Sequence, residues 1–128
     1  MQVISTPDAP SGNASGPFPY SQATVAGGLV FVSGQGPFDP ASGAIVGTTI
    51  QEQTRQALAN VQAILAAAGS SMDRIVNATF ILARPEDFGG LNEEWRRWFP
   101  TDPPARQGAR LPLDVPGLRV SFAAIAEG

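Results

Sequence analysis

All eight basic side chains of this 128-residue chain are arginines: Arg55, Arg74, Arg84, Arg96, Arg97, Arg106, Arg110 and Arg119. Cysteine, histidine and lysine are absent. Their absence removes thiol nucleophiles, Ser-His-Asp triads, lysine Schiff bases, disulfides and any zinc site built on His or Cys. Any chemistry must therefore draw on arginine, eleven carboxylates, the single tyrosine Tyr20, hydroxyls, backbone groups and the terminal amine.

At 43% apolar and 15% charged residues, the composition is that of one domain over residues 1–128. A domain of this length buries roughly two-thirds of its surface without staples. The net charge of −3 supplies no basic field for a phosphate backbone, so no nucleic-acid partner is expected. Met1 to Gly16 is mixed polar and has no basic region leading into an apolar run, unlike a secretory signal. Apolar runs are a handful of residues long, too short to span a membrane, and the lack of cysteine is compatible with a cytoplasmic location.

Proline and glycine cluster at Pro7 to Pro19, Gly34 to Gly47 and Pro100 to Pro116, which marks loops between periodic segments. After Gly27-Gly28, the residues Leu29-Val30-Phe31-Val32-Ser33 predict a strand that delivers Ser33 to a turn. Thr49 and Glu52 form a capping box. Ala57, Leu58, Val61, Ile64, Leu65 and Ala68 follow at helical spacing until Gly69, which leaves Gln51, Gln53, Arg55 and Gln62 on the exposed face. Arg74 to Leu82 is a second strand. A second helix is predicted from Pro85, with Glu86 and Asp87 in its first turn and Phe88, Leu91, Trp95 and Trp98 or Phe99 as its buried stripe.

A short strand and a long one should complete the chain. In the long one, Leu118, Val120, Phe122 and Ala124 share one face, and Arg119, Ser121, Ala123 and Ile125 the other. The sum is an α+β layer, a mixed β-sheet with two helices packed on one face. The opposite face also carries apolar residues, so an oligomer that covers it is expected.

The blocks Pro19-Tyr20-Ser21-Gln22-Ala23, Val32-Ser33-Gly34-Gln35, Gln53-Thr54-Arg55-Gln56 with Asn60, Ala67-Ala68-Gly69, Asp87-Phe88, Leu91-Asn92 and Pro104-Ala105-Arg106 run in order from about Gly16 to Ala126. In these the chain resembles the reactive-intermediate deaminase family, RidA or YjgF. The resemblance implies a chorismate-mutase-like subunit, a homotrimer and small-molecule carboxylate clefts between subunits. It also implies hydrolysis of 2-imino or 2-enamino acids to oxo acids and ammonia without a cofactor. An imine is already electrophilic, so its hydrolysis needs only positioning, carboxylate anchoring and proton transfers to and from water.

By this resemblance Arg106 holds the substrate carboxylate in a bidentate fork, and Tyr20 lines the cleft with its hydroxyl near the substrate. Ser33, Gly34 and Asn92 would face the ligand, with the backbone of Gln107 and Gly108 beside it. Three departures from the family pattern stand out. Gly16-Pro17-Phe18-Pro19-Tyr20 is two residues longer than the usual Gly-Pro-Tyr. Gln107-Gly108 replaces a Ser or Thr followed by a Cys or Thr, which predicts a wider pocket. Ala123 occupies the place of a water-positioning glutamate, and a methyl group cannot orient or deprotonate water.

Three readings follow. One is an imine hydrolase with altered water activation, and another is a non-catalytic trimer that binds small carboxylates. Ribonuclease activity, the third, fits poorly with an acidic chain that lacks His and Lys.

Overall fold

The computed structural model describes residues 1–11, 18–112 and 114–128. Its elements are β1 (Gln2–Ile4), β2 (Ala23–Ala26), β3 (Leu29–Gln35), α1 (Ile50–Ala67), β4 (Ile75–Leu82), α2 (Phe88–Trp98), β5 (Ala105–Arg110) and β6 (Val120–Glu127). One sheet holds all six strands in the order β1-β2-β3-β6-β4-β5, antiparallel except for the parallel pair β4 and β5. The last strand in sequence thus lies in the middle of the sheet. Helix α1 carries the chain over that slot, and α2 carries it from β4 to the edge strand β5.

Helix α1 begins where the sequence placed it. The Thr49 hydroxyl accepts from the Glu52 N–H at 3.1 Å, and the Glu52 carboxylate accepts from the Thr49 N–H at 3.2 Å. Hydrogen bonds from the Thr49 hydroxyl, then from the Thr49 backbone, hold the Glu52 carboxyl below its ordinary range. Because folding lowers this pKa, its contribution to stability is complete at neutral pH and drains away as pH falls through the carboxylate range. Thr49→Ala is expected to cost about 1 kcal/mol in denaturant unfolding; an unchanged midpoint would remove the cap from the account.

Buried Ala57, Leu58, Val61, Ile64 and Leu65 press α1 onto the sheet, where Val30, Val32, Val120, Phe122, Ala124 and Ala126 form the floor. The alternation of β6 is as the sequence predicted. Gln53 corrects the exposed face assigned to α1, because it is buried: its Nε2 donates to the Gly47 and Gly117 carbonyls, and its Oε1 accepts from the Arg119 N–H. The second helix begins later than predicted. Pro85–Asp87 is a 3-10 turn, and α2 proper starts at Phe88, which is exposed and outside the buried stripe of Leu91, Trp95 and Phe99. Strand β1, in a stretch too polar to announce itself, pairs with β2, and the segment after it is held by Gln22, whose side chain bonds both the N–H and the carbonyl of Thr6 and the carbonyls of Ala9 and Pro10.

Both helices lie on one face of the sheet. Across the other runs the row Val3, Thr24, Phe31, Ile125, Asn77 and Ala105, which no element covers among the described residues. Val3 and Phe31 in that row are exposed.

Candidate functional site

The corresponding row on the helix-covered face reads Ile4, Ala23, Val32, Ala124, Ala78 and Arg106. Five apolar residues in register end in a guanidinium at the sheet edge. Its Cζ lies 4.9 Å from the centroid of the Phe80 ring, 5.0 Å from that of Trp95 and 5.6 Å from that of Phe88. Each such contact is worth about 0.5–2 kcal/mol, less than the full hydration of the cation. Burial, and then the nearby Arg96, push the Arg106 pKa below its ordinary value. Arg106 has no ion pair among the described residues, and its Nη1 is buried without a hydrogen-bond partner.

Arg106 opens into a cavity of about 430 Å³ whose wall is α2 and the turn after it. Asn92 and Arg96, one helical turn apart, share the side of α2 that faces this cavity. The Asn92 Oδ1, like Arg106 Nη1, is buried without a partner. An orphaned donor and an orphaned acceptor in one cavity are what a ligand bearing a carboxylate and an N–H group would satisfy. Arg96 is a cavity residue that the sequence reading missed. The signal available was its i+4 spacing from Asn92.

Gly108 lines a separate cavity with Phe80, next to the one that Arg106 lines. A Cβ built there would lie 2.1 Å from the Phe80 ring, so that ring occupies the space a side chain at 108 would take. Gly108→Ala is expected to displace Phe80 and weaken carboxylate affinity several-fold, because the ring supports Arg106. Phe80→Leu in the same chain should recover part of the loss. A Gly108→Ala variant with unaltered affinity would separate Phe80 from the site. Gln107 points to the uncovered face, where its Nε2 lies 3.5 Å from Thr79 Oγ1. Half the backbone N–H groups of β5, as an edge strand, face no neighbouring strand.

Tyr20, Ser33 and Gly34 gather elsewhere. Between Val32 and Gln35 the register of β3 against β6 slips, so Ser33 and Gly34 form a bulge opposite Ala123. Such bulges re-aim side chains next to functional sites. The strand thus continues through Ser33 to Gln35, where a turn was expected. The Ser33 hydroxyl donates to the Ser21 carbonyl at 2.6 Å. Tyr20, half-exposed and stacked on Phe18 with ring centroids 6.4 Å apart, lines a small hollow with Gly34 and Gly36. Of the lengthened Gly16-Pro17-Phe18-Pro19-Tyr20 stretch, Gly16 and Pro17 lie outside the described residues. β3 and β5 are three strand spacings apart, roughly 14 Å. The two groups are therefore separate on one chain, with Arg106, Asn92 and Gly108 at the β5 edge and Tyr20, Ser33 and Gly34 at the end of the interior strand β3. Ala123 pairs with Thr79 on the uncovered face.

Sheet and helices together define an α+β protein, with a guanidinium at its sheet edge that has no ion pair among the described residues. The chain belongs to the Endoribonuclease L-PSP family, whose model matches residues 12–127, and it is RidA/YjgF-like. It is 43% identical over 117 residues to a RutC family protein of Pyrococcus horikoshii, covering 89% of this chain and 90% of that one. To the 2-iminobutanoate/2-iminopropanoate deaminase of Capra hircus it is 39% identical over 125 residues, covering 98% of this chain and 88% of the relative. Among solved structures, RidA from the Antarctic bacterium Psychrobacter superposes with a TM-score of 0.89 at 30% identity, covering all of both chains. Escherichia coli TdcF with bound serine superposes at 0.88 and 31% identity, covering 100% of this chain and 99% of that one. No helix among the described residues is long and apolar enough to cross a membrane.

Proposed function

We propose that the protein hydrolyses 2-imino or 2-enamino acids, or a related carboxylate-bearing imine, to the oxo compound and ammonia. The observation that carries this reading is the partly buried guanidinium of Arg106, without an ion pair among the described residues, lining one cavity with Asn92, whose Oδ1 is buried without a partner. Deaminases among its relatives support the choice of reaction. Arg106 binds the substrate carboxylate in a two-pronged fork, restoring the partner its charge lacks. Water adds to the imine carbon, the nitrogen is protonated, and ammonia leaves as the C=O bond forms. The fork fixes the reacting carbon and removes the orientational part of the barrier.

Two separate groups of site residues on one chain, together with the exposed Val3 and Phe31 on the uncovered sheet face, support a homotrimer in which Tyr20 and the Ser33-Gly34 bulge of one subunit meet Arg106 of the next. Light scattering is expected to give about three times the 13.3 kDa chain mass. A monomer at micromolar concentration would remove the shared cleft. A second reading, a trimer that binds carboxylates without turning them over, draws on Ala123 and on a cavity lining without a carboxylate. Ammonia release from enzymatically generated imino acids, measured above the buffer rate, decides between them. A silent wild type with turnover gained in Ala123→Glu selects the second.

A further inference from the structure

Arg55, Arg84, Arg97 and Arg119 each meet an aspartate or glutamate, and Arg74 donates to the carbonyls of Glu127 and Gly128. Arg96, Arg106 and Arg110 have no acidic partner among the described residues. Arg110 lines a separate apolar cavity beyond Phe80, whereas Arg96 and Arg106 line the same one. Among the described residues no carboxylate lines the cavity these two share, so two like charges face one space without a counter-charge there. Each raises the cost of the other, and the Arg106 guanidinium is pushed toward its neutral form partly by Arg96. A single carboxylate on Arg106 cancels only one of the two charges.

We propose that Arg96 and Arg106 form a two-cation cradle that selects dianionic substrates, namely 2-imino acids whose side chain carries a second carboxylate. The assignment of the reacting group rests on the imine-hydrolase reading, while the preference for a dianion rests on the paired cations alone. Arg106 takes the carboxylate next to the imine, and Arg96 takes the one on the side chain. Asn92, a turn before Arg96, lines the same cavity between them. The cavity of about 430 Å³ has room for a small dicarboxylate. Arg96 also sits in the last turn of α2, where a cation complements the negative helix end. That role alone would leave substrate preference untouched.

The test compares kcat/KM for an imino acid with an acidic side chain against one with an apolar side chain of similar length, in wild type, Arg96→Gln and Arg110→Gln. Wild type should prefer the acidic imine. Arg96→Gln should lower the acidic-to-apolar ratio by about tenfold, the worth of one partly exposed charge pair. Arg110→Gln, which removes the same net charge outside the cavity, should keep the ratio. A wild-type preference for the apolar imine, or equal ratios in wild type and Arg96→Gln, would overturn the cradle. If no imine is hydrolysed faster than in buffer, the reaction assignment fails but the cradle is still tested, by calorimetry with stable four-carbon carboxylates. Tighter binding of succinate than of butyrate, lost in Arg96→Gln, upholds it. Equal binding, or inorganic phosphate bound more tightly than succinate, overturns it.

Discussion

Arg106→Ala is expected to weaken carboxylate binding by a hundredfold or more while the protein folds as cooperatively as before. Truncating one partner of a buried, hydrogen-bonded charge pair costs about 2–5 kcal/mol, and 3 kcal/mol is already more than a hundredfold in Kd. Stability moves the other way, or hardly at all. The fold lowers the Arg106 pKa, chiefly by burial and then through Arg96, so it holds the cation at a cost that the substitution relieves. The lost contacts with Phe80, Trp95 and Phe88 offset part of that relief. An arginine pKa lowered from its ordinary value still leaves the group charged at neutral pH, so affinity should be flat from about pH 6 to 9. It should fall only as alkaline pH approaches the guanidinium range. Calorimetry with an oxo-acid product, beside thermal unfolding of the same samples, checks both halves. A collapse in stability with unchanged affinity per folded molecule would make Arg106 a structural residue.

The largest loss of stability is expected from Asp87→Ala. The buried Asp87 carboxylate accepts from Arg119 Nε at 3.1 Å and Nη2 at 3.0 Å, and from Arg84 Nη2 at 3.3 Å. Arg119 also donates to the Thr48 carbonyl at 2.6 Å, so one carboxylate ties the start of α2 to the start of α1 and the entry to β6. Removing it leaves Arg119, with a side chain only 22% exposed, short of its counter-charge. The expected cost is about 3 kcal/mol, or roughly a 10 °C fall in Tm for a chain of this size. Carboxylate affinity per folded molecule should stay close to wild type, because Asp87 lies outside the Arg106 cavity. A loss below about 1 kcal/mol would reduce the cluster to a screened surface pair.

Asp87 also shows where the sequence stops being legible. Read locally, it is an acidic residue in a helical first turn; its partner Arg119 is 32 residues away, and nothing in composition or periodicity joins them. Gln53 was misread for the same reason, since its role is to close the Gly47 and Gly117 loops. The capping box of α1 and the alternation of β6 were readable because their cause lies within a few residues. The position of β6 between β3 and β4 was not, because a crossover helix leaves no mark of which strand later fills the slot. Of the site, the Pro-Ala-Arg block pointed to Arg106, and Leu91-Asn92 to its cavity partner. The Phe80 ring over Gly108 and the cation at Arg96 needed three-dimensional neighbours to be seen. Gln22 and Asn60 serve the fold: Gln22 holds the N-terminal segment, and Asn60 Nδ2 donates to the Gly36 and Phe38 carbonyls to fix the loop after β3.

In the function we propose, an Arg106-anchored carboxylate is the substrate end of an imine that the protein hydrolyses. The most direct test follows oxo-acid formation and ammonia release from freshly generated imino acids, with wild type and Arg106→Ala at matched concentrations of folded protein and the buffer rate subtracted. Acceleration by wild type, reduced by two orders of magnitude or more in Arg106→Ala, is the predicted result. Equal acceleration by both proteins, or none by wild type on any imino acid, would contradict it.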